Sequence, residues 1–351
     1  KYDGEINPLD FVQIKLIIVG KEKELTLIDG AERIVTVHKP VERTVHADRT
    51  SLELAKIVKV EKDRIVGVDS SIQSGDWKML FPDYQDISTV GGGGCKAPPD
   101  CEAILRLNPD VVFLSLRSNQ DACAAVLEYA GITVIRSWYR YGVWGSDIWL
   151  DAKKFGYIFD KQDEAEEFCD FLNNYMNPIK ETVKEIPEED KPTAYFESFP
   201  YSLQEFSYGS IENAGGKDIF ADLEYWGRDI KLEPEEVIER NPDIIFKMGL
   251  RATISGKDVG YLIDAGNTAK LEGIKDEIMS RSELQNVKAV KEGRVYVMTG
   301  YIMYSGAGSG CSGFLQEAYM AKWLHPELFK AVDPKAIHQE YLTEFLEVDI
   351  D

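Results

Sequence analysis

The chain has 351 residues, with 40 Lys and Arg against 61 Asp and Glu, for a formal net charge of −21. A length past ~250–300 residues outgrows one hydrophobic core and predicts two or three domains. With 44% hydrophobic and 29% charged residues, the chain has ample apolar material to fill them. So acidic a balance excludes a nucleic-acid-binding role, whose footprint is a basic face, and a peripheral hold on anionic lipid. No apolar run approaches the ~18 residues of a membrane span. Residue 1 is Lys and no signal peptide opens the sequence, so the chain is expected to be a piece of a longer protein.

Residues 1–22 form the first segment. Asp3-Gly4 is a sharp turn, and Leu9, Val12, Leu16 and Ile17 follow at helical spacing. Asp3, Gly4, Asn7 and Asp10 fall where an EF-hand loop has its positions 5, 6, 9 and 12. The segment resembles the second half of a dockerin-like repeat, with Asp3, Asn7 and Asp10 as candidate calcium ligands. Lys1 stands where a donor is needed, so half the ligands are missing and a capped helix after a turn is the favoured reading.

From Glu24 to Val45 the pattern is of short alternating strands, LTLI and RIVTV, interrupted by Pro40. SLELAKIVKV (51–60) predicts an amphipathic helix with Ser51 as N-cap, and RIVGVD (64–69) a buried parallel strand. An internal echo follows. Glu102–Phe113 (EAILRLNPDVVF) and Glu235–Phe246 (EEVIERNPDIIF) align without gaps, 133 residues apart. In each, a helix stops at Asn because the following Pro disfavours its continuation, and an Asp then opens an apolar strand. Helix, tight loop and buried strand, used twice, predict an α/β fold of two lobes of similar design. Between them, residues 146–186 read as a long helical spine, with interruptions at Asp160–Gln162 and Pro178. TAYFES (193–198) and RVYVM (294–298) read as strands, and Phe314–Leu324 as a closing helix. The expected organisation is a lobe at 23–145, the spine at 146–186 and a second lobe at 187–351.

Five cysteines (Cys95, Cys101, Cys123, Cys169, Cys311) include no CxxC pair, which weakens zinc and redox readings. A Cys95–Cys101 disulfide stays open, and the others read as buried thiols. Gly308–Gly313 matches GxGxxG but has no following strand with an acidic residue, so a dinucleotide site is rejected. Gly91–Gly94 lacks the GK[ST] of a phosphate loop and reads as a rim loop. The four histidines (His38, His46, His325, His338) show no metal-ligand spacing and read as surface or satisfied core residues, with His46 singled out because HADR follows the first strand. Trp138, Tyr139 and Tyr141 follow the strand GITVI at its carboxyl end, where open α/β sheets bind ligands. Flat rings beside Arg140 suit a planar or anionic partner.

The pieces RTVHADRTSLELAKIV, DRIVGV, EAILRLNPDVVF, GITVI, NAGGKDIF, LEPEEVIERNPDIIF and AVKEGRVYVM, in this order, resemble the substrate-binding proteins of ABC importers for iron chelates, haem and cobalamin. These are the class III periplasmic binding proteins, and the resemblance covers about residues 31–345. It implies two Rossmann-like lobes with parallel sheets joined by a long spine helix, and a ligand held between the lobes. It implies no catalysis and no catalytic cofactor. The ligand set becomes Arg49, Trp138, Tyr139, Tyr141, Tyr208, Arg228, Arg251, Tyr301 and Tyr304. Glu102 and Glu235 become the residues that dock each lobe on an ABC permease dimer. The expected cargo is a metal chelate, a ferric siderophore first, then haem or a corrinoid, then an oxyanion such as molybdate or tungstate. The protein is expected to act as a monomer outside the cytoplasm, tethered through a segment absent from this chain. Two rivals are a calcium-dependent cell-surface scaffold and an enzyme on a nitrogenase-like two-lobed fold.

Overall fold

The computed structural model describes residues 14–16, 21–73, 77–92, 97–116, 118–137, 148–203, 209–223, 230–249, 268–299, 302 and 311–349. The described residues up to Asp170 form one compact unit and those from Phe171 onward another.

The first unit opens with an antiparallel hairpin of β1 (Glu24–Ile28) and β2 (Ile34–His38), Ile28 facing Ile34. Its main sheet is wholly parallel. β3 (Thr44–His46) leads into α1 (Arg49–Ile57) and β4 (Ile65–Val68). Then come α2 (Cys101–Leu107), β5 (Val111–Leu114), α3 (Asp121–Tyr129) and β6 (Thr133–Arg136). The strand order is β4-β3-β5-β6. One face packs Val45, Val112 and Val134 against Ile104 of α2 and Leu127 of α3. On the other face His46, Phe113 and Phe155 stack at centroid distances of 4.8 and 4.9 Å. The β6 edge, a ready template for strand addition, is covered by the hairpin turn. Gly30 N donates to Arg136 O at 3.0 Å, and Arg136 N to Asp29 Oδ2 at 3.1 Å.

The stretch expected as the spine holds two helices, α4 (Ile148–Phe159) and α5 (Gln162–Lys184), with Pro178 inside the second. The break falls at the interruption that the sequence marks, where Asp160 takes a positive φ of 59°. Lys39 secures it by donating to Tyr157 O at 2.6 Å and to Glu22 Oε1 at 2.7 Å.

The second unit repeats the sheet. β7 (Thr193–Glu197) is followed by the short strands β8 (Ser202–Leu203), β9 (Lys217–Asp218) and β10 (Ile230–Lys231). Next come α6 (Pro234–Arg240), β11 (Ile244–Gly249), α7 (Ala269–Ser280), β12 (Val295–Thr299) and α8 (Gly313–Leu324). The order β9-β7-β11-β12 is again all parallel and corresponds strand for strand to the first sheet. Tyr195, Ile245 and Val295 pack on Ile278 of α7, while Trp323 of α8 stacks on Tyr296 from the opposite face at 4.8 Å.

The sequence echo is a structural one. α2 and α6 both end on an Asn in the left-handed region, Asn108 at φ 46° and ψ 62°, Asn241 at φ 45° and ψ 64°. That conformation, which Asn tolerates better than most residues, is what closes each helix before its Pro. Asp110 and Asp243 then do the same work. Asp110 Oδ2 accepts from Glu42 N and Arg43 N at 2.9 Å, and Asp243 Oδ2 accepts from Thr193 N at 2.8 Å. Each aspartate thereby fixes the register of its strand against the neighbouring one.

Two expectations need correcting. The N-cap of α1 is Asp48 rather than Ser51, because Asp48 keeps an extended backbone and its side chain accepts from Ser51 N. Cys101 is bonded to Cys123, not Cys95, because α2 and α3 lie side by side and bring the two Cα atoms to 5.6 Å. Cys95 lies outside the described residues, and Cys169 and Cys311 are buried thiols.

Candidate ligand-binding ends of the two sheets

Open parallel sheets receive ligands beyond the carboxyl ends of their strands, where the strand order reverses. Those points lie between β3 and β5 in the first sheet and between β7 and β11 in the second.

At the first, β3 runs into Asp48 and Arg49. Asp48 is buried, and its Oδ2 accepts from Ser51 Oγ at 2.8 Å and from Ser137 Oγ, beyond β6, at 2.6 Å. Ser51 Oγ lies 3.1 Å from His46 Nδ1, and His46 Nε2 lies 3.1 Å from Thr44 Oγ1, which donates to Arg64 O. Ser51 Oγ and Thr44 Oγ1 thus link the imidazole to Asp48 on one side and to Arg64 O on the other. Burial pushes His46 down to about 3, which keeps the imidazole neutral. Burial pushes the Asp48 carboxyl up, helped by the charge of Asp69, and among the described residues no cation pairs with Asp48. His46 is thus a satisfied core residue and not a ligand.

Arg49 begins α1, half-buried, with its guanidinium carbon 4.3 Å from the ring centroid of Trp77. Nearby, Gly92 has φ +91° and lies so close to Asp69 that a Cβ would meet Oδ2 at 2.3 Å. This member of the glycine run is therefore fixed by close approach, a role that glycine alone can fill.

At the second switch point, Lys247 stands fully buried in the otherwise apolar β11. Its Nζ donates to Ser198 O at 2.6 Å and lies 3.1 Å from Glu197 Oε1. Arg281 donates to both oxygens of Glu197, at 2.7 and 2.9 Å, and to Glu277. Its guanidinium lies 4.8 Å from the Tyr201 ring centroid. Burial would raise the Glu197 carboxyl, but the Arg281 fork and the Lys247 charge hold it below the usual carboxylate range. Burial pulls the Lys247 ammonium down. Tyr201 N donates to Glu197 Oε2 at 3.1 Å, so these charges pin the turn that leaves β7.

Glu102 and Glu235 occupy equivalent places, each the second residue of its helix and each exposed. Among the described residues Glu102 has only a loose ion pair, to Arg106 at 3.8 Å. Of the expected ligand residues Arg49 alone is described; Trp138, Tyr139, Tyr141, Tyr208, Arg228, Arg251, Tyr301 and Tyr304 lie outside the described residues. So do the calcium candidates Asp3, Asn7 and Asp10. Among the described residues no group of three His, Cys, Asp or Glu side chains could hold a metal ion, and no helix is long and apolar enough to cross a membrane. Sequence reasoning missed Trp77, which no periodicity marks, and the charge cluster around Lys247. The second had a signal, since a lysine inside the run IIFKM demands a buried partner.

The profile of the periplasmic binding protein family matches residues 50–301, a span that takes in most of both sheets. Molybdate-binding protein MolA of Haemophilus influenzae is 20% identical over 342 residues, 91% of this chain and 90% of its own. Petrobactin-binding protein YclQ of Bacillus subtilis is 21% identical over 259 residues, 69% of this chain and 72% of its own. The solved structure of TroA-like periplasmic binding protein FepB from Veillonella parvula aligns with a TM-score of 0.75 at 25% identity, covering 93% of this chain and 97% of that one. The structure of MolA bound to molybdate aligns at 0.69 and 17% identity, covering 93% and 99%. The same parallel strand order in both sheets, repeated around the helix–Asn-Pro-Asp–strand unit, accompanies a profile match over most of the chain: it belongs to the periplasmic binding protein family, solute-binding proteins of ABC transporters and not enzymes.

Proposed function

We propose that the protein is the solute receptor of an ABC importer and that its cargo is an anionic metal chelate, a ferric siderophore first. The family match across both sheets carries the receptor reading. The anionic reading is supported by Arg49, which enters no ion pair among the described residues although the chain carries −21. A guanidinium offers forked donors to carboxylates and oxyanions. The similarity to a petrobactin-binding relative favours a chelate. A second reading, molybdate or tungstate, is favoured by the similarity to MolA over nine-tenths of the chain. Haem comes third, from the fold shared with haem-binding HmuT.

The exposed Glu102 and Glu235 would each meet a basic residue of the permease, one from each lobe. The Cys101–Cys123 disulfide suits an oxidising, extracytoplasmic setting. Native mass spectrometry and a visible spectrum of protein from its own source test the cargo. A bound mass of siderophore size with a charge-transfer band is expected. A bound mass equal to a bare oxyanion would overturn the chelate in favour of the second reading.

A further inference from the structure

Arg49 leaves the end of β3 in a setting that its sequence position did not disclose. Its guanidinium carbon lies over the Trp77 ring, 4.3 Å from the ring centroid. Trp77 is backed by Phe81, at 6.2 Å and 18° between planes, and Lys56 Nζ lies 5.9 Å from the Phe81 ring centroid. Phe81 is fully buried, so the stack is anchored in the core. Stacking occupies the face of a guanidinium and leaves the N–H groups, which lie in its plane, free to donate.

Arg49 has no carboxylate partner among the described residues, and the first turn of α1 holds no acidic side chain. Asp48, next in the chain, is buried and accepts from Ser51 Oγ and Ser137 Oγ. Asp69 Oδ1 accepts from both Ser71 N and Ser71 Oγ. An ordinary surface arginine in so acidic a chain would be expected to find one of its many carboxylates.

We propose that Arg49 and Trp77 form an anion subsite beyond β3, in which Trp77 is the positioning residue. It holds the guanidinium flat, and the forked N–H edge receives a carboxylate, a phosphate or a metal oxyanion carried by the ligand. The subsite rests on the receptor reading for the ligand's role and on the stack for its chemistry.

The test uses the full chain at low ionic strength, where such a contact is least screened. Trp77 emission, isolated as the difference between wild type and Trp77→Phe, is titrated with sulfate, molybdate and citrate. A saturable change with at least one of these anions is expected, and Arg49→Ala should abolish it. The anion that responds is then titrated calorimetrically. Trp77→Leu should weaken it roughly tenfold, and Trp77→Phe should return it to within about threefold, since a smaller ring still stacks. Thermal unfolding of each variant separates a lost fold from a lost contact. Silence to all three anions, or a response that survives Arg49→Ala, overturns the subsite. Wild-type affinity in a folded Trp77→Leu overturns the positioning role. Protein that binds a ferric siderophore while Trp77 stays silent loses the subsite and keeps the receptor. Protein that answers the anions but binds no chelate keeps the subsite and loses the chelate as cargo.

Discussion

Asp48 shows how one buried carboxyl can tie a strand end together. Its oxygens accept from Ser51 N, Ser51 Oγ and Ser137 Oγ, and it caps α1. Asp48→Ala removes that cap and leaves two hydroxyls without their acceptor, so it should cost about 1–3 kcal/mol in urea unfolding. A loss below ~0.5 kcal/mol would show that these bonds do not hold the strand end. His46 gives a pH dependence of known sign. Its folded value is about 3, so between the ordinary ~6.5 and 3 the unfolded chain binds a proton that the folded one does not. Stability should therefore fall with acidification below about pH 6.5, on the order of 1 kcal/mol per pH unit, and His46→Asn should flatten that slope. His338, pushed down to about 4 by burial, adds to it in the same direction. Asp48, raised, acts oppositely: its contribution is full below the ordinary ~3.8–3.9 and is lost as pH rises through the folded value. None of this was legible in the sequence. HADR reads as a strand end with a histidine, and only the fold brings Ser137 to Asp48 from 89 residues away.

At the scale of elements, the cluster around Glu197 should behave asymmetrically. Glu197→Ala leaves Lys247 and Arg281 buried without their shared carboxylate and should cost about 3–5 kcal/mol in urea unfolding. Lys247→Met leaves the Arg281–Glu197 fork intact and should cost clearly less; equal losses would show that the fork does not hold Glu197 by itself. Elements whose pattern is local were the readable ones. The Asn-Pro-Asp breaker and the apolar run after it predicted both echo strands, and the structure adds why Asn is used, since both caps are left-handed. The hairpin, the closing helix and the break at Asp160 were readable for the same reason. The pairing of Cys101 was not, because it depends on how two helices lie beside each other rather than on spacing along the chain. The cap of α1 was misplaced by three residues because both Asp48 and Ser51 are good caps, and the backbone chose between them.

For the whole molecule, the two-sheet plan was legible because it is written twice in the sequence. The ligand was not, because specificity resides in the loops beyond the strands, where residue types carry no periodicity. Docking makes a prediction at this scale. Reversing both exposed glutamates, Glu102→Lys with Glu235→Lys, should abolish uptake through the importer while ligand affinity stays unchanged; unimpaired uptake would remove their docking role. The anionic-chelate receptor reading is tested most directly by calorimetric titration of the apo protein with ferric siderophores, haem, molybdate and tungstate. Tight one-to-one binding of an anionic ferric siderophore, weakened by Arg49→Ala, is the predicted result; tight binding of molybdate or tungstate with no chelate bound would contradict it.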